Sequence, residues 1–239
     1  MEKSQFQEKI REKAEKIKIV LTEEQINKFY LYMNLLIEWN QKMNLTAITD
    51  PEEIIIKHFI DSLTVGKYLE NNSKVIDVGT GAGFPGIPLA ICFEKINFTL
   101  ADSLQKRILF LEEIKNKLDL KNVELIHGRA EDLGKGEELR EQYDFAVSRA
   151  VAPLNILLEY LIPFIKVNGY CICMKGSNGK NELEDAKSAL KILKGKVEEQ
   201  EEFELLDTKM NRIIFKIKKE EKTQEKYPRK AGMPSKQPL

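Results

Sequence analysis

The chain has 239 residues, with 38 Lys and Arg against 38 Asp and Glu, so its formal net charge of zero says nothing about partners. The length suits one main α/β domain with an extension, or two small domains. Three cysteines without a CxxC motif indicate reduced thiols in the cytoplasm, and no apolar run approaches the roughly 20 residues of a membrane span.

Residues 1–70 are predicted to form a helical extension without strands. Thr22-Glu-Glu-Gln25 matches the capping box, in which two side chains satisfy backbone N–H groups at the start of a helix. Apolar side chains then recur at three- and four-residue spacing from Phe29 to Trp39, as on the buried face of a helix. A second helix start is predicted at Asp50-Pro51, with Asp as the cap and Pro in the first turn.

From about residue 74, short β-rich runs alternate with helical segments. Strands are predicted over 74–78, 97–101, 123–127, 143–148 and 170–175, and helices near 85–93, 104–118, 153–165 and 180–195. This alternation predicts a doubly wound parallel sheet with helices on both faces, over residues 71–239. Two last strands, near 202–208 and 212–217, are too close for a crossover and are predicted to form an antiparallel hairpin.

The glycine-rich stretch after the first strand, VIDVGTGAGFPG, predicts a ligand site. No Gly-Lys-Ser/Thr follows, which excludes the Walker loop of nucleoside triphosphate sites. The dinucleotide pattern GxGxxG is present but begins late: counted from the turn at Gly79, its sixth position is Phe84. Pro85 and Pro88 leave fewer N–H donors for a pyrophosphate. The pattern Asp77-x-Gly79-x-Gly81 therefore favours S-adenosylmethionine (AdoMet), whose methionine part approaches bare backbone and whose ammonium group suits an acidic residue.

Acidic residues at two further strand ends agree with this interpretation. Asp102 follows the second strand, where a carboxylate can accept from both ribose hydroxyls of NAD or AdoMet. Glu131, in the stretch Gly128-Arg-Ala-Glu-Asp132 after the third strand, can accept from adenine N6. Either residue alone is more often a helix cap, so the prediction depends on the three strand ends together.

With these residues in view, the chain resembles the bacterial ribosomal RNA small-subunit methyltransferase G family, also called glucose-inhibited division protein B. The resemblance covers nearly the whole chain. It is carried by Asn40–Thr46, Lys57–Leu63, Asp77–Gly86, Gly128–Asp132, Ser148-Arg-Ala-Val-Ala-Pro153 and Tyr227-Pro-Arg-Lys-Ala-Gly232.

The resemblance implies a Rossmann-like class I AdoMet-dependent methyltransferase sheet that methylates N7 of one guanine in 16S rRNA. With the glycine pattern, it implies cofactor contacts at Gly79, Gly81, Phe84, Asp102, Ser103, Leu104, Ala130, Glu131 and Arg149. We expect a cytoplasmic monomer with 16S rRNA or the small ribosomal subunit as its partner.

The chemistry of N7 methylation predicts a site without a general base or a metal. AdoMet is an activated donor and N7 is unprotonated at pH 7, so the protein must supply alignment and exclude water. The two histidines fit this expectation: His127 is predicted to be structural, and His58 either packs or contacts RNA. An unpaired guanine is the expected target, because A-form helices bury the groove edge that carries N7. The candidate RNA contacts are His58, Lys106, Arg107, Lys175, Arg229 and Lys230, together with Arg149 at the cofactor.

Two other functions remain open at this level. A dinucleotide-dependent oxidoreductase would require a catalytic pair such as Tyr-x-x-x-Lys, whereas Tyr160 is followed four residues later by Phe164. A non-enzymatic RNA-binding or assembly protein would retain the cofactor motif without using it.

Overall fold

The computed structural model describes residues 1–239. The first 70 residues are helical, as predicted: α1 (Lys3–Lys16), α2 (Glu23–Met43), and a segment composed of α3 (Pro51–Ile54), a π-helical turn (Ile55–Ile60) and α4 (Asp61–Leu63), before a 3-10 turn (Gly66–Tyr68). Both predicted starts are confirmed. Thr22 and Gln25 form the reciprocal capping box, and the Asp50 carboxylate accepts from two N–H groups of the first turn of α3.

The remaining chain forms a seven-stranded mixed sheet with helices around it. Its strands are β1 (Lys74–Val78), β2 (Asn97–Asp102), β3 (Val123–His127), β4 (Tyr143–Arg149), β5 (Ile165–Lys175), β6 (Gly195–Glu204) and β7 (Asn211–Lys219). The spatial order is β3-β2-β1-β4-β5-β7-β6. The first five strands are parallel, and β7 runs antiparallel between β5 and β6, so the predicted hairpin is confirmed.

Helices connect the parallel strands and complete the C-terminal part. They are α5 (Gly86–Cys92), α6 (Gln105–Lys117), α7 (Ala130–Leu133), α8 (Leu154–Leu161) with a 3-10 turn (Ile162–Phe164), α9 (Gly179–Asp185), α10 (Lys187–Leu193) and α11 (Met233–Lys236). The order of the strands reverses between β1 and β4. The carboxyl ends of these two strands therefore diverge into a crevice, which is where open α/β sheets bind ligands.

The C-terminal third departs from the predicted boundaries. The helix predicted near 180–195 is two helices, and β5 begins at Ile165 rather than residue 170. Strand β6 covers Gly195–Glu204 instead of 202–208, because Asp207 has φ of +55° and the N–H of Thr208 turns back to the carbonyl of Leu205. The strand could not be recognised in the sequence because five of its ten residues are glutamates, and because it lies at the edge of the sheet, where little apolar alternation is required.

The N-terminal helices share one hydrophobic core with the sheet. Phe6 of α1 and Phe29 of α2 are fully buried in the same cluster as Phe98 of β2 and Phe110 of α6. This packing fixes the helical segment 51–63 beside the carboxyl ends of the strands.

The tail after β7 is held against the sheet domain by side chains of the body. The Arg140 guanidinium donates to the carbonyls of Gly134, Thr223 and Tyr227 at 2.8–2.9 Å. The carboxylate of Glu159, which is completely buried on α8, accepts from the backbone and guanidinium of Arg229. The tail therefore folds back to the crevice instead of extending into solvent.

Candidate active site

The loop between β1 and α5 presents bare backbone at the carboxyl end of the sheet. The N–H groups of Gly79 and Thr80 donate to the carbonyl of Ala101, at 2.8 and 3.2 Å. Gly79 and Gly81 have φ of +73° and +63°, a conformation that favours glycine. A Cβ added at Gly79 would lie 2.6 Å from the Val151 side chain, whereas at Gly81 it would meet nothing nearer than 4.0 Å. A ligand can therefore approach the backbone at Gly81 closely.

Asp77 lies beneath this loop and fixes its shape. Its Oδ2 atom accepts from Oγ1 of Thr80 at 2.6 Å and from the N–H of Gly86 at 2.9 Å. The side chain is fully buried and Oδ1 has no hydrogen-bond partner. Burial raises the pKa of Asp77 to about 7, although its two hydrogen bonds act in the opposite direction. A direct contact with the ammonium group of a ligand stays a prediction.

Asp102 joins the glycine loop to the loop after β2. Its carboxylate accepts from the N–H groups of Gly81 and Leu104, both at 2.9 Å, and forms an ion pair with Arg107 at 3.2 Å. The side chain is buried, yet it lines a cavity of about 250 Å³ at the carboxyl end of the sheet. The protein thus holds a fixed carboxylate in the wall of this cavity.

The opposite wall of this cavity, called here the cofactor cavity, comes from α7 and from the tail. Glu131 lines it, and its Oε1 atom accepts from the N–H of Gly232 at 2.8 Å while Oε2 has no partner in the protein. Tyr160 and Ser235 also line the cavity, and their hydroxyl groups lie 3.0 Å apart. The tail therefore contributes to the wall that faces Asp102.

A second cleft, of about 560 Å³, lies between the π-helical turn, the loop after β4 and the start of α9. His58 lines it and stacks on Phe84, with ring centroids 4.4 Å apart. Nη2 of Arg149 lies 3.2 Å from Nδ1 of His58, and Oγ1 of Thr46 lies 2.8 Å from Nε2. Burial, followed by the charge of Arg149, lowers the pKa of His58 to about 3, so its ring is neutral at pH 7.

A buried carboxylate organises the cations of this second cleft. Asp61 is 1% exposed and pairs with Nη1 of Arg149 at 2.9 Å and with Nε of Arg212 at 2.8 Å. Lys175 also lines the cleft; its Nζ donates to the carbonyl of Ala152 at 2.5 Å and pairs with Glu182 at 2.8 Å. The cleft therefore carries fixed cations on its walls.

The two cavities adjoin at the loop after β4. Val151 lines both of them and is 37% exposed. Ala150, next to it, has φ of +56°, a strained conformation for a residue with a Cβ. Such strain persists only where surrounding structure enforces it, and it clusters at functional sites.

The structure brings most of the predicted site residues to this region, but in two groups. The cofactor cavity is lined by Gly79, Asp102, Ser103, Ala130 and Glu131, and the second cleft by His58, Arg149 and Lys175. Phe84 is buried under His58, with its ring centroid 5.0 Å from the Arg149 guanidinium carbon. Leu104 and Lys106 do not line either cavity and are exposed, as is Lys230 in the tail.

Four functional candidates were not singled out by sequence reasoning. Asp61 and Arg212 are 151 residues apart and meet only in the fold. Glu182 lies in a charged helix, where a carboxylate looks like surface, and Tyr160 was considered only for an oxidoreductase pair. Only Asp61 carried a signal, because it lies in the stretch Lys57–Leu63 that supports the family resemblance.

The side chains form no group of three or more His, Cys, Asp or Glu that is arranged to hold a metal ion. None of the helices combines the length and the apolar character that crossing a membrane requires.

The strand order and the crevice are those of the class I AdoMet-dependent methyltransferase fold. A SAM-dependent methyltransferase from Aquifex aeolicus shares the fold with a TM-score of 0.56 at 20% identity, over 73% of this chain and 96% of that one. TYW2 from M. jannaschii, solved in complex with AdoMet, shares it with a TM-score of 0.54 at 17% identity, over 66% and 74% of the two chains.

Sequence comparison specifies the family within this class. The sequence model of the family described as rRNA small subunit methyltransferase G matches residues 25–221. Proteins of that name from Alkaliphilus oremlandii and Oceanobacillus iheyensis are 52% identical over 96% of this chain and 97% of theirs, and 46% identical over the full length of both. The chain belongs to the rRNA small subunit methyltransferase G family and is an AdoMet-dependent rRNA methyltransferase.

Proposed function

We propose that the chain transfers the methyl group of AdoMet to N7 of one unpaired guanine in 16S rRNA. In this proposal AdoMet occupies the cofactor cavity and the guanine occupies the second cleft. The observation that carries it is the junction at Val151, where a cavity lined by the carboxylates of Asp102 and Glu131 adjoins a cleft with fixed cations. Family membership argues against the oxidoreductase alternative.

The residues of the cofactor cavity fit AdoMet. Asp102 would accept from the ribose hydroxyls, since its two oxygens are already fixed by backbone N–H donors. Glu131 would accept from the adenine amino group through Oε2, the oxygen that Gly232 leaves without a partner. The open space above Gly81 leaves room for the methionine part. Ser103, Leu104 and Ala130 would complete the cofactor site.

When bound, AdoMet supplies a methyl group on a positively charged sulfur. The protein residues then have to align N7 with that group and exclude water, because N7 is not protonated at pH 7 and no proton needs to be removed. His58 is suited to alignment rather than proton transfer, because its pKa of about 3 makes it a poor base and its ring is held flat against Phe84. Arg149 fixes that ring from Nδ1 and is itself fixed by Asp61.

RNA binding is assigned to cations around the second cleft. Lys57 and Arg212 line it together with Lys175, and Lys106 is exposed on α6, which follows β2. Lys230 is exposed in the tail. Phosphate contacts from such residues position the substrate without reading its sequence. We also propose that the protein acts as a monomer in the cytoplasm, where its rRNA substrate is assembled.

Labelled methyl transfer to 16S rRNA transcribed in vitro tests the proposal. Incorporation should approach one methyl group per RNA, and 23S rRNA should remain unlabelled. Asp102→Ala should weaken AdoMet binding in calorimetry by at least about tenfold, because each hydrogen bond to a charged acceptor contributes about 1.5–3 kcal/mol. Asp132→Ala is the matched control, since this neighbouring carboxylate is exposed. Heat from NAD binding with none from AdoMet would overturn the proposal.

A further inference from the structure

The second cleft contains two carboxylates, which differ in how fully they are occupied. Both oxygens of Asp61 are engaged, Oδ1 by Arg212 and Oδ2 by Arg149. These two ion pairs neutralise the charge of the buried carboxylate and fix both guanidinium groups. Asp61 therefore serves to position the two arginines.

Glu182 is held at one oxygen and open at the other. Its Oε2 atom accepts from the N–H of Leu154 at 2.9 Å and pairs with Nζ of Lys175 at 2.8 Å. Its Oε1 atom has no hydrogen-bond partner in the protein, and the side chain is 20% exposed within the lining of the cleft. The two contacts at Oε2 fix the direction of the side chain, so Oε1 is an acceptor already in place for a ligand.

A carboxylate acceptor distinguishes the two purines that carry an N7 lone pair. Adenine and guanine both offer N7, so an N7 methyltransferase must tell them apart at positions 1, 2 and 6. Guanine has donors at N1 and at the exocyclic N2, whereas adenine has an acceptor at N1. An ionised carboxylate only accepts hydrogen bonds. It therefore attracts the donor edge of guanine and repels the N1 lone pair of adenine.

We propose that Glu182 is a specificity-determining residue that accepts, through Oε1, from the N1–H and N2–H groups of the target guanine. The inference rests on the proposed function, because it places the target base in the second cleft. Lys175 supports the role indirectly, since it pairs with Oε2 of Glu182 while its second bond, to the carbonyl of Ala152, ties both residues to the loop that separates the two cavities.

The test uses the full-length protein and short RNAs that carry the mapped target position. That position holds guanosine, adenosine, or inosine, which lacks only the N2 amino group. The wild type should prefer guanosine to inosine by about 10- to 100-fold in kcat/KM, the effect of one hydrogen bond to a charged acceptor. Adenosine should be methylated more slowly still, because it leaves the acceptor facing a lone pair.

Glu182→Gln should lower kcat/KM for guanosine by about tenfold or more and reduce the preference over inosine to less than about threefold. Glu184→Gln is the matched control on the same helix, because Glu184 is exposed and pairs only with Lys187. AdoMet affinity should not change in either variant. If Glu182 had only a structural role, Glu182→Gln would lower kcat/KM for guanosine, inosine and adenosine by the same factor and leave their ratios as in the wild type.

Two outcomes overturn the inference. One is equal methylation of guanosine and inosine by the wild type, which decides the matter even if the Glu182 variant fails to fold. The other is a Glu182→Gln enzyme that keeps the wild-type preference over both inosine and adenosine. Absence of transfer to any RNA by the wild type would instead refute the proposed function itself, so the two failures are distinguishable.

Discussion

The pair of Glu159 and Arg229 should dominate the stability of the C-terminal tail. Glu159 is completely buried and accepts from the Arg229 N–H at 2.7 Å, from Nε at 2.9 Å and from Nη2 at 2.6 Å. Arg229→Ala removes the guanidinium and leaves a buried carboxylate with one backbone donor. Loss of one partner from a buried pair costs about 3–5 kcal/mol. The remaining donor places the expected loss near the lower limit, at about 3 kcal/mol.

Lys230→Ala provides the matched control, because Lys230 is the next residue and is exposed. Its effect on the free energy of unfolding should stay within about 0.5 kcal/mol. Both variants are compared with the wild type by urea unfolding monitored with circular dichroism. For a chain of this size, about 3 kcal/mol corresponds to a fall of about 6–12 °C in Tm.

A second substitution separates the pair from general damage. Glu159→Gln in the Arg229→Ala background should recover part of the lost free energy, since it removes the uncompensated charge. The dominant role of this pair is refuted if Arg229→Ala and Lys230→Ala have equal effects, or if the double variant is less stable than Arg229→Ala alone.

Further predictions concern pH, backbone strain and the tail. Between about pH 5 and 6, Asp77 is protonated in the folded state and ionised in the unfolded state, so its raised pKa makes the free energy of unfolding fall as pH rises. His58 is neutral in the folded state and protonated in the unfolded state, so its lowered pKa makes the free energy of unfolding rise with pH. Each effect is at most about 1.4 kcal/mol per pH unit. In urea unfolding over this pH range, the free energy of unfolding should therefore rise with pH in Asp77→Asn, fall with pH in His58→Phe and change less in the wild type. Parallel curves of this free energy against pH for the three proteins would contradict the prediction. Ala150→Gly should leave the Tm unchanged or raise the free energy of unfolding by up to about 1 kcal/mol, because glycine adopts a positive φ without strain. A clear fall in Tm in thermal unfolding would show that Ala150 is not strained. Lys230→Ala should reduce the slope of log affinity for 16S rRNA against log salt by about 1, and an unchanged slope would exclude a phosphate contact.

The sequence predicted the order and type of the elements well wherever local signals agree. The parallel strands from β1 to β4 are rich in apolar and β-branched residues, and both N-terminal caps depend on side chains that bond to backbone groups within three residues. The π-helical turn could not be predicted, because it depends on how His58 and Phe59 pack against other elements. The boundaries of β6 were wrong because this edge strand is rich in glutamate and shows little apolar alternation.

For the site, sequence reasoning named residues that the structure brings to one region, but it did not predict their division into two cavities. Gly79, Asp102 and Glu131 follow three strands, so their convergence follows from the parallel topology. The pairing of Asp61 with Arg212 depends on the position of β7 between β5 and β6, which no local pattern specifies. The return of the tail to Glu131 is likewise a tertiary contact.

Identification of the modified nucleoside is the decisive experiment for methyl transfer to guanine N7. Unmodified 16S rRNA is incubated with the protein and AdoMet, digested to nucleosides and analysed by mass spectrometry, and the site is mapped by borohydride and aniline cleavage. We predict N7-methylguanosine at one position that is unpaired in the rRNA. Methylation of another base or another atom of guanine, or no methylation of 16S rRNA at all, would contradict this prediction.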